Sequence, residues 1–251
     1  MFTENEIIDY ERLNTTAGRI LERTAYIDAL SLEEGTGIIR GNSKNVEATL
    51  LLAGNAGTDK EEQRKYQENL LRIYGMDTEI WVQQELFNEE NYLSEGSEAK
   101  VYYSPNAGFV RKVVDYKRYS RTPFEFMINR IGLHNYLFAS SPYELIGFTR
   151  TEDFMGNKTF AFIIEQPFIK GKYLETKEDN KLFLKEMATR GNEIKFENNK
   201  RVFYNDDYII KDLHHENVIF TNEGMFKFID PVPSLNPAFR SFGSEGVRFL
   251  K

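Results

Sequence analysis

Lys211-Asp212-Leu213-His214-His215-Glu216-Asn217-Val218-Ile219-Phe220, followed by Phe228-Ile229-Asp230-Pro231, is the stretch on which the reading of this chain turns. Thr221-Asn222-Glu223-Gly224 lies between two apolar runs, the pattern of a hairpin with a polar turn. Asn217 and Asp230 then stand at the hairpin's open end, one on each strand, and Asp212 precedes Asn217 by five residues in the loop feeding the first strand. An amide oxygen and a carboxylate converging there form a hard-oxygen site suited to Mg²⁺, which keeps waters and substrate phosphates as its other ligands. A third carboxylate nearby can orient or deprotonate an attacking hydroxyl. Singly, these residues read as Asx-type turn residues capping a hairpin. All three at this spacing read as a functional set.

Composition narrows the chemistry further. The 251 residues suffice for one large domain, or for one domain with a helical appendage, and 41% hydrophobic with 14% aromatic residues can build a sizeable core. Zero cysteines exclude disulfides, thiolate zinc sites and thiol catalysis, and three histidines leave little for a His-rich metal site. A formal net charge of −7 gives no global footprint for nucleic acid. No apolar run approaches the ~20 residues of a membrane span. The first residues, Met1-Phe2-Thr3-Glu4, lack the basic and apolar regions of a secretory signal, so the expectation is a cytoplasmic protein with no membrane partner. Carboxylates, lysine, asparagine and hydroxyls remain to carry the chemistry.

The hydrophobic period changes near residue 90. Upstream the chain reads as helical: Ile20, Leu21, Ile27 and Leu30 recur at helical spacing, and a short helix is expected over Val46–Ala53. Thr58-Asp59-Lys60-Glu61 is a capping-box sequence opening a helix through Leu70, Leu71 and Ile73 that Gly75 is expected to end. Ile80, Trp81, Val82, Leu86 and Phe87 then read as a docking segment, not a free linker. Downstream come short β-branched or aromatic runs at Val101–Tyr103, Phe109–Val114, Leu145–Phe148, Thr159–Ile164, Val202–Tyr204, Val218–Phe220 and Met225–Ile229. Two helices interrupt them. Thr122-Pro123-Phe124-Glu125 supplies cap, first-turn proline and capping-box acid for a helix to about Phe138; the second spans Thr176–Arg190, with Gly191 beyond it. The fold class is α+β.

With these residues placed, the sequence resembles the protein-kinase-like superfamily. Asp212-Leu213-His214-His215-Glu216-Asn217 is similar to the catalytic loop D-x-x-x-x-N, and Ile229-Asp230-Pro231 stands where the metal-binding aspartate motif falls. The resemblance implies Asp212 as catalytic base and Asn217 with Asp230 as metal ligands. Leu93-Ser94-Glu95-Gly96-Ser97-Glu98-Ala99-Lys100-Val101 resembles the Gly-rich loop, although only the middle glycine remains, Ser94 and Ala99 replacing the others; Gly96 and Ser97 would approach the phosphates. Lys112 resembles the third-strand lysine that pairs with phosphates, with Arg111 as its competitor on the same strand. Glu125 is the leading partner for Lys112, although a capping-box role would explain it without any active site. Glu165-Gln166-Pro167-Phe168 looks like the end of the fifth strand and the adenine-reading hinge. Pro167 has no N–H, so Glu165 and Phe168 are the residues assigned there.

A closer resemblance covers most of the chain. Gly41-Asn42-Ser43-Lys44-Asn45-Val46-Glu47-Ala48, Arg130-Ile131-Gly132-Leu133-His134-Asn135, Glu165-Gln166-Pro167 and Ile229-Asp230-Pro231-Val232 resemble the kinase domains of polyvalent proteins carried by mobile elements. His134 reads either as a site residue or as a packed, hydrogen-bonded helix histidine. Only 21 residues follow Asp230, with no A-P-E motif, so the second lobe is expected to be minimal. In that economy it is similar to the aminoglycoside-phosphotransferase-like small-molecule enzymes. The resemblance implies a compact bilobal fold: residues 1–90 a helical extension docked on the rest, 91–168 a β-rich nucleotide-binding lobe with five strands, 169–251 a reduced helical lobe carrying the catalytic loop. It implies ATP and Mg as cofactors, and phosphoryl transfer to a hydroxyl of a protein or small molecule. Two alternatives keep the fold: a pseudokinase that binds nucleotide without turnover, and an enzyme that transfers AMP.

Overall fold

The computed structural model describes residues 60–83, 87, 89–152, 155–198, 200–205 and 208–235. The helices expected around Ile20–Leu30 and Val46–Ala53, and the Thr58 cap, lie outside the described residues. The first described element is α1 (Lys60–Asp77), whose apolar residues Leu70, Leu71 and Tyr74 are buried. Gly75 does not end it. The glycine lies inside the helix, where a Cβ would meet the Phe148 ring at 2.9 Å, so here the glycine permits close packing and is not a stop.

Five strands form one antiparallel sheet: β1 (Tyr92–Glu95), β2 (Ala99–Tyr103), β3 (Phe109–Val114), β4 (Glu144–Glu152) and β5 (Lys158–Pro167), in the order β1-β2-β3-β5-β4. Alternation gives the sheet two faces. Val114, Phe162, Ile164, Leu145 and Phe148 line one of them and pack with Leu70, Leu71 and Tyr74 of α1 into the larger core, together with Phe124, Phe126, Met127 and Ile131. Tyr102, Val113 and Ala161 form a smaller cluster on the other, with Phe87 against it. The segment after α1 extends the sheet beyond β4: Val82 N donates to Phe148 O and Phe148 N to Ile80 O. Gly147 sits at the irregularity in the β4–β5 register, and a Cβ there would strike Ile80 O at 2.3 Å, so only glycine allows this approach.

Between β3 and β4 runs the helix opened by Thr122, whose hydroxyl accepts from Glu125 N. It is not uniform. Pro123–Phe126 is α-helical, Met127–Leu133 winds as a π-helix, and His134–Leu137 returns to α.

The part after Pro167 departs from the expected helical lobe, because strands dominate it. Its described residues hold one long helix, α2 (Lys177–Thr189), with Thr176 and Asp179 closing a reciprocal capping box. The strands are β6 (Lys172–Tyr173), β7 (Glu193–Glu197), β8 (Lys200–Tyr204), β9 (Tyr208–Lys211), β10 (Val218–Phe220), β11 (Phe226–Phe228) and β12 (Val232–Leu235). They make a sheet of order β11-β10-β6 and another of order β12-β9-β8-β7. Phe183 and Met187 of α2 pack there with Phe203, Ile210, Leu213, Val218 and Phe228 into a second core. Fully burying side chains of this size contributes roughly 1.5–3 kcal/mol each before the entropy of ordering is subtracted. Among the described residues no helix is long and apolar enough to cross a membrane.

Candidate active site

The β10–β11 hairpin pairs Val218 with Phe228 at its open end, and Ile229 N donates to Asn217 O just beyond it. That register brings Asn217 beside Asp230. The Asn217 Nδ2 group donates to Asp212 O at 2.8 Å and to Asp230 O at 3.3 Å. Its two amide hydrogens thus tie the loop before β10 to the segment after β11. The Oδ1 atom remains as the ligand Asn217 can offer a cation. Asp212 has φ +60°, a left-handed conformation an aspartate tolerates better than most residues. Its carboxylate accepts from Tyr119 Oη at 3.3 Å and stands 3.7 Å from His214 Nε2.

Lys112 reaches this cluster from β3. Its Nζ donates to Asp230 Oδ1 at 2.8 Å and to Ile229 O at 2.7 Å, and lies 5.3 Å from the centre of the Tyr143 ring. The ion pair crosses from the five-stranded sheet to the hairpin, linking residues 118 apart in sequence. Lysine, two aspartates and an asparagine therefore meet at one place.

Glu125 does not join them. Its Oε2 accepts from Arg121 N at 2.7 Å, completing the local cap with Thr122, while Lys112 pairs with Asp230. Local capping won because it closes over four residues, whereas the expected ion pair needed the helix to turn Glu125 toward the sheet. Glu165 also points elsewhere. It faces Arg111 across the β3–β5 pair, the side of the sheet opposite Lys112, and accepts from Ser104 Oγ, Asn106 Nδ2 and Arg111 Nη2 at 2.6, 2.7 and 2.8 Å. Burial works to raise the pKa of this carboxyl, but the hydrogen bonds from Ser104, Arg111 and Asn106 outweigh it and hold it below its ordinary value. Phe168 is half exposed, and its N–H, the expected hinge donor, donates to Gly108 O. Gly96 N closes the β1–β2 turn on Ala99 O, with Ser97 exposed at the tip.

Further groups surround the site, of which only His134 stands out as a candidate in the sequence. Tyr143 donates its hydroxyl to Ile229 O and approaches Asp230 Oδ1 at 3.3 Å. Burial, and next the charge of Asp230, push its pKa well above the ordinary tyrosine value, so it stays a donor. Asn135 holds the Tyr143 backbone through two bonds of 2.7 Å, and His134 stacks on its ring at 3.8 Å and 7°. His134 is fully buried, its Nε2 donating to Ser141 O, and burial depresses its pKa to about 3. It acts as neutral packing. Arg130 and Glu98 form a second ion pair at 2.5 Å, and burial lifts the Glu98 carboxyl to about 7 against the pull of Arg130. No spacing rule marks Tyr143 or Glu98, because their partners lie far off in sequence.

The donor set suits Mg²⁺. Asp230 and Asn217 can offer two hard oxygens, and among the described residues no group of three or more His, Cys, Asp or Glu is placed to hold a metal ion.

The model of the family described as Serine/Threonine/Tyrosine Kinase found in polyvalent proteins matches residues 64–237. The comparison with curated proteins found no match. Among solved structures, the crystal structure of the Legionella pneumophila LegK7 effector kinase is similar at 14% identity and a TM-score of 0.25, covering 95% of this chain and 57% of that one. A likeness that slight adds nothing to the fold assignment. The family match spans well over half the sequence: the chain belongs to the polyvalent-protein kinase family.

Proposed function

We propose that this member of the polyvalent-protein kinase family is an ATP- and Mg²⁺-dependent phosphotransferase acting on a hydroxyl of a protein or small molecule. The observation that carries the reading is the meeting of Lys112, Asp230, Asn217 and Asp212, joined by the Lys112–Asp230 contact of 2.8 Å and the Asn217–Asp212 contact of 2.8 Å. Asn217 Oδ1 and the Asp230 carboxylate would hold the cation, which when bound neutralises developing phosphate charge. Lys112 sits where it can exchange Asp230 for a phosphate oxygen. Asp212 would accept the acceptor hydroxyl's proton, with Tyr119 fixing its carboxylate. Phosphoryl transfer asks mainly for positioning and charge neutralisation, and these residues supply both.

In this reading residues 91–168 form the nucleotide-binding lobe, with Gly96 and Ser97 offering backbone N–H groups to phosphates. Residues 169–251 form the lobe of the catalytic loop, and residues 1–90 an extension docked on both. Glu125 has no catalytic role, and adenine is read by backbone other than the Phe168 N–H. Thiophosphorylation of a cell lysate with ATP-γ-S, comparing wild type with Asp212→Asn, tests it. A label pattern present with wild type and lost in the variant supports the reading. An identical pattern removes Asp212 from the chemistry, and a transferred mass of AMP in place of a phosphoryl group would show the nucleotide being cleaved at the other end.

A further inference from the structure

Arg130 leaves two of its donors unused. It lies in the π-helical stretch Met127–Leu133, and its side chain is 4% exposed. Nη2 donates to Glu98 Oε1, while Nε and Nη1 are fully buried with no hydrogen-bond partner among the described residues. The guanidinium face rests on the Tyr119 ring at 5.3 Å, but a ring face satisfies none of the in-plane N–H groups. Buried donors are ordinarily paired, and an orphaned pair on an always-charged group points to an acceptor that arrives with a ligand.

The position says which ligand. Glu98, the residue holding Arg130, belongs to the turn between β1 and β2, directly after Gly96 and Ser97. The Glu98 carboxyl feels Arg130, Asp230, Lys112 and Asp212 together, and the aromatic neighbour of Arg130, Tyr119, donates to Asp212. Arg130 therefore borders the same space as Lys112 and the catalytic loop. A planar, always-charged guanidinium with unpaired N–H donors on two of its nitrogens matches the oxygens of a phosphate.

We infer that Arg130 is a second phosphate-binding cation of the nucleotide site, partly neutralised by its ion pair with Glu98 and donating through Nε and Nη1 to separate oxygens of the polyphosphate chain. This rests on the phosphotransferase reading above and extends it: the helix between β3 and β4 contributes a cation to the phosphates, while its carboxylate Glu125 is spent on a cap. Glu98 competes with the ligand for Arg130, so the turn is tethered to the helix until phosphate takes over part of the guanidinium.

Calorimetry with inorganic tripolyphosphate, Mg·ATP and adenosine on the full chain tests this. Arg130→Gln is expected to weaken tripolyphosphate and Mg·ATP about ten- to hundredfold and leave adenosine unchanged, the loss expected for one charge-assisted pair. Arg130→Lys should recover part of that loss. Glu98→Gln, which removes the competitor, should tighten tripolyphosphate a few-fold; should Arg130→Gln fail to fold, this variant decides. Wild-type affinity in Arg130→Gln, or a Glu98→Gln variant weakened as much as Arg130→Gln, overturns the inference alone and makes the pair purely structural. A wild-type protein that binds neither adenosine nor Mg·ATP overturns the phosphotransferase reading as well.

Discussion

Arg111 and Lys112 are neighbours on one strand, yet the two faces of the sheet give them opposite fates. Arg111 meets Glu165 directly across the β3–β5 pair, in a network completed by Ser104 and Asn106, all within one sheet and the turn beside it. The Glu165 carboxylate is matched on both oxygens by these donors. Lys112 reaches the segment after β11 and leans on Asp230, which is one-third exposed and also touched by Tyr143. One face closes a charge inside a rigid scaffold. The other holds a charge against a partner that can be exchanged. The strand period of two sorts them, and a slip of one residue would exchange the roles.

The sharpest way to break this comparison is to remove each cation in turn. Lys112→Ala is expected to cost about a hundredfold or more in Mg·ATP affinity, because a charge-assisted contact to phosphate is lost in a sheltered site. Its melting temperature should change little, since the remaining Asp230 reaches solvent. Arg111→Ala should do the reverse: leave nucleotide affinity unchanged and cost about 1–3 kcal/mol of stability, since Glu165 is 3% exposed and would lose its charge partner. Calorimetry and thermal melts on the two proteins decide between this and a shared role.

Acid titration sharpens the scaffold half. Glu165 has a pKa held below its unfolded value, so its contribution is complete above about pH 4.5 and is lost as pH falls through the folded value. Melts of Glu165→Gln below pH 4.5 should therefore fall less steeply with acid than those of wild type.

On the site half, two buried groups oppose each other. His134, depressed from 6.5 to about 3, adds stability that is complete above pH 6.5 and lost as pH falls toward 3. Glu98, raised from 4.5 to about 7, adds stability that is complete below pH 4.5 and lost as pH rises through 7. Between pH 4.5 and 6.5 their slopes, each at most about 1.4 kcal/mol per pH unit, nearly cancel. Stability should be close to flat there in wild type, rise with pH in Glu98→Gln and fall with pH in His134→Gln. Parallel profiles in all three would mean that neither group is buried as described.

The smallest effect belongs to a place remote from both faces. Thr176→Ala removes a reciprocal cap of α2 and should lower stability by about 1 kcal/mol, with no change in nucleotide affinity.

What the sequence discloses divides along the same line. Asp212, Asn217 and Asp230 fall within nineteen residues around one hairpin, so local pattern alone brings them together, and the β3 and β10 runs stand at their expected positions. The choice between Arg111 and Lys112 needs Glu165 and Asp230, which arrive only through long-range pairing. Glu125 shows the converse: two roles fit the sequence, and the one closed over four residues prevails. Gly75 reads as a helix stop because the pattern carries no sign of Phe148, the ring that makes glycine necessary there. β7, β9 and β12 are short, and β7 alternates charged and apolar residues exposed at an edge, so periodicity gives them little signal. Tyr143, Glu98 and the buried donors of Arg130 depend wholly on tertiary placement.

The central claim is that Asp230 and Asp212 act on different partners, the cation and the acceptor. Titrating Mg·ATP by calorimetry into wild type, Asp230→Ala and Asp212→Ala, with turnover measured on the same samples, tests it most directly. In the proposed site Asp230 would bring the negative charge to the cation, and without it only the neutral oxygen of Asn217 would remain. The account predicts that Asp230→Ala abolishes metal-dependent nucleotide binding, while Asp212→Ala binds Mg·ATP nearly as wild type and loses turnover by about 10²–10⁴-fold. Equal loss of Mg·ATP affinity in both variants would contradict it.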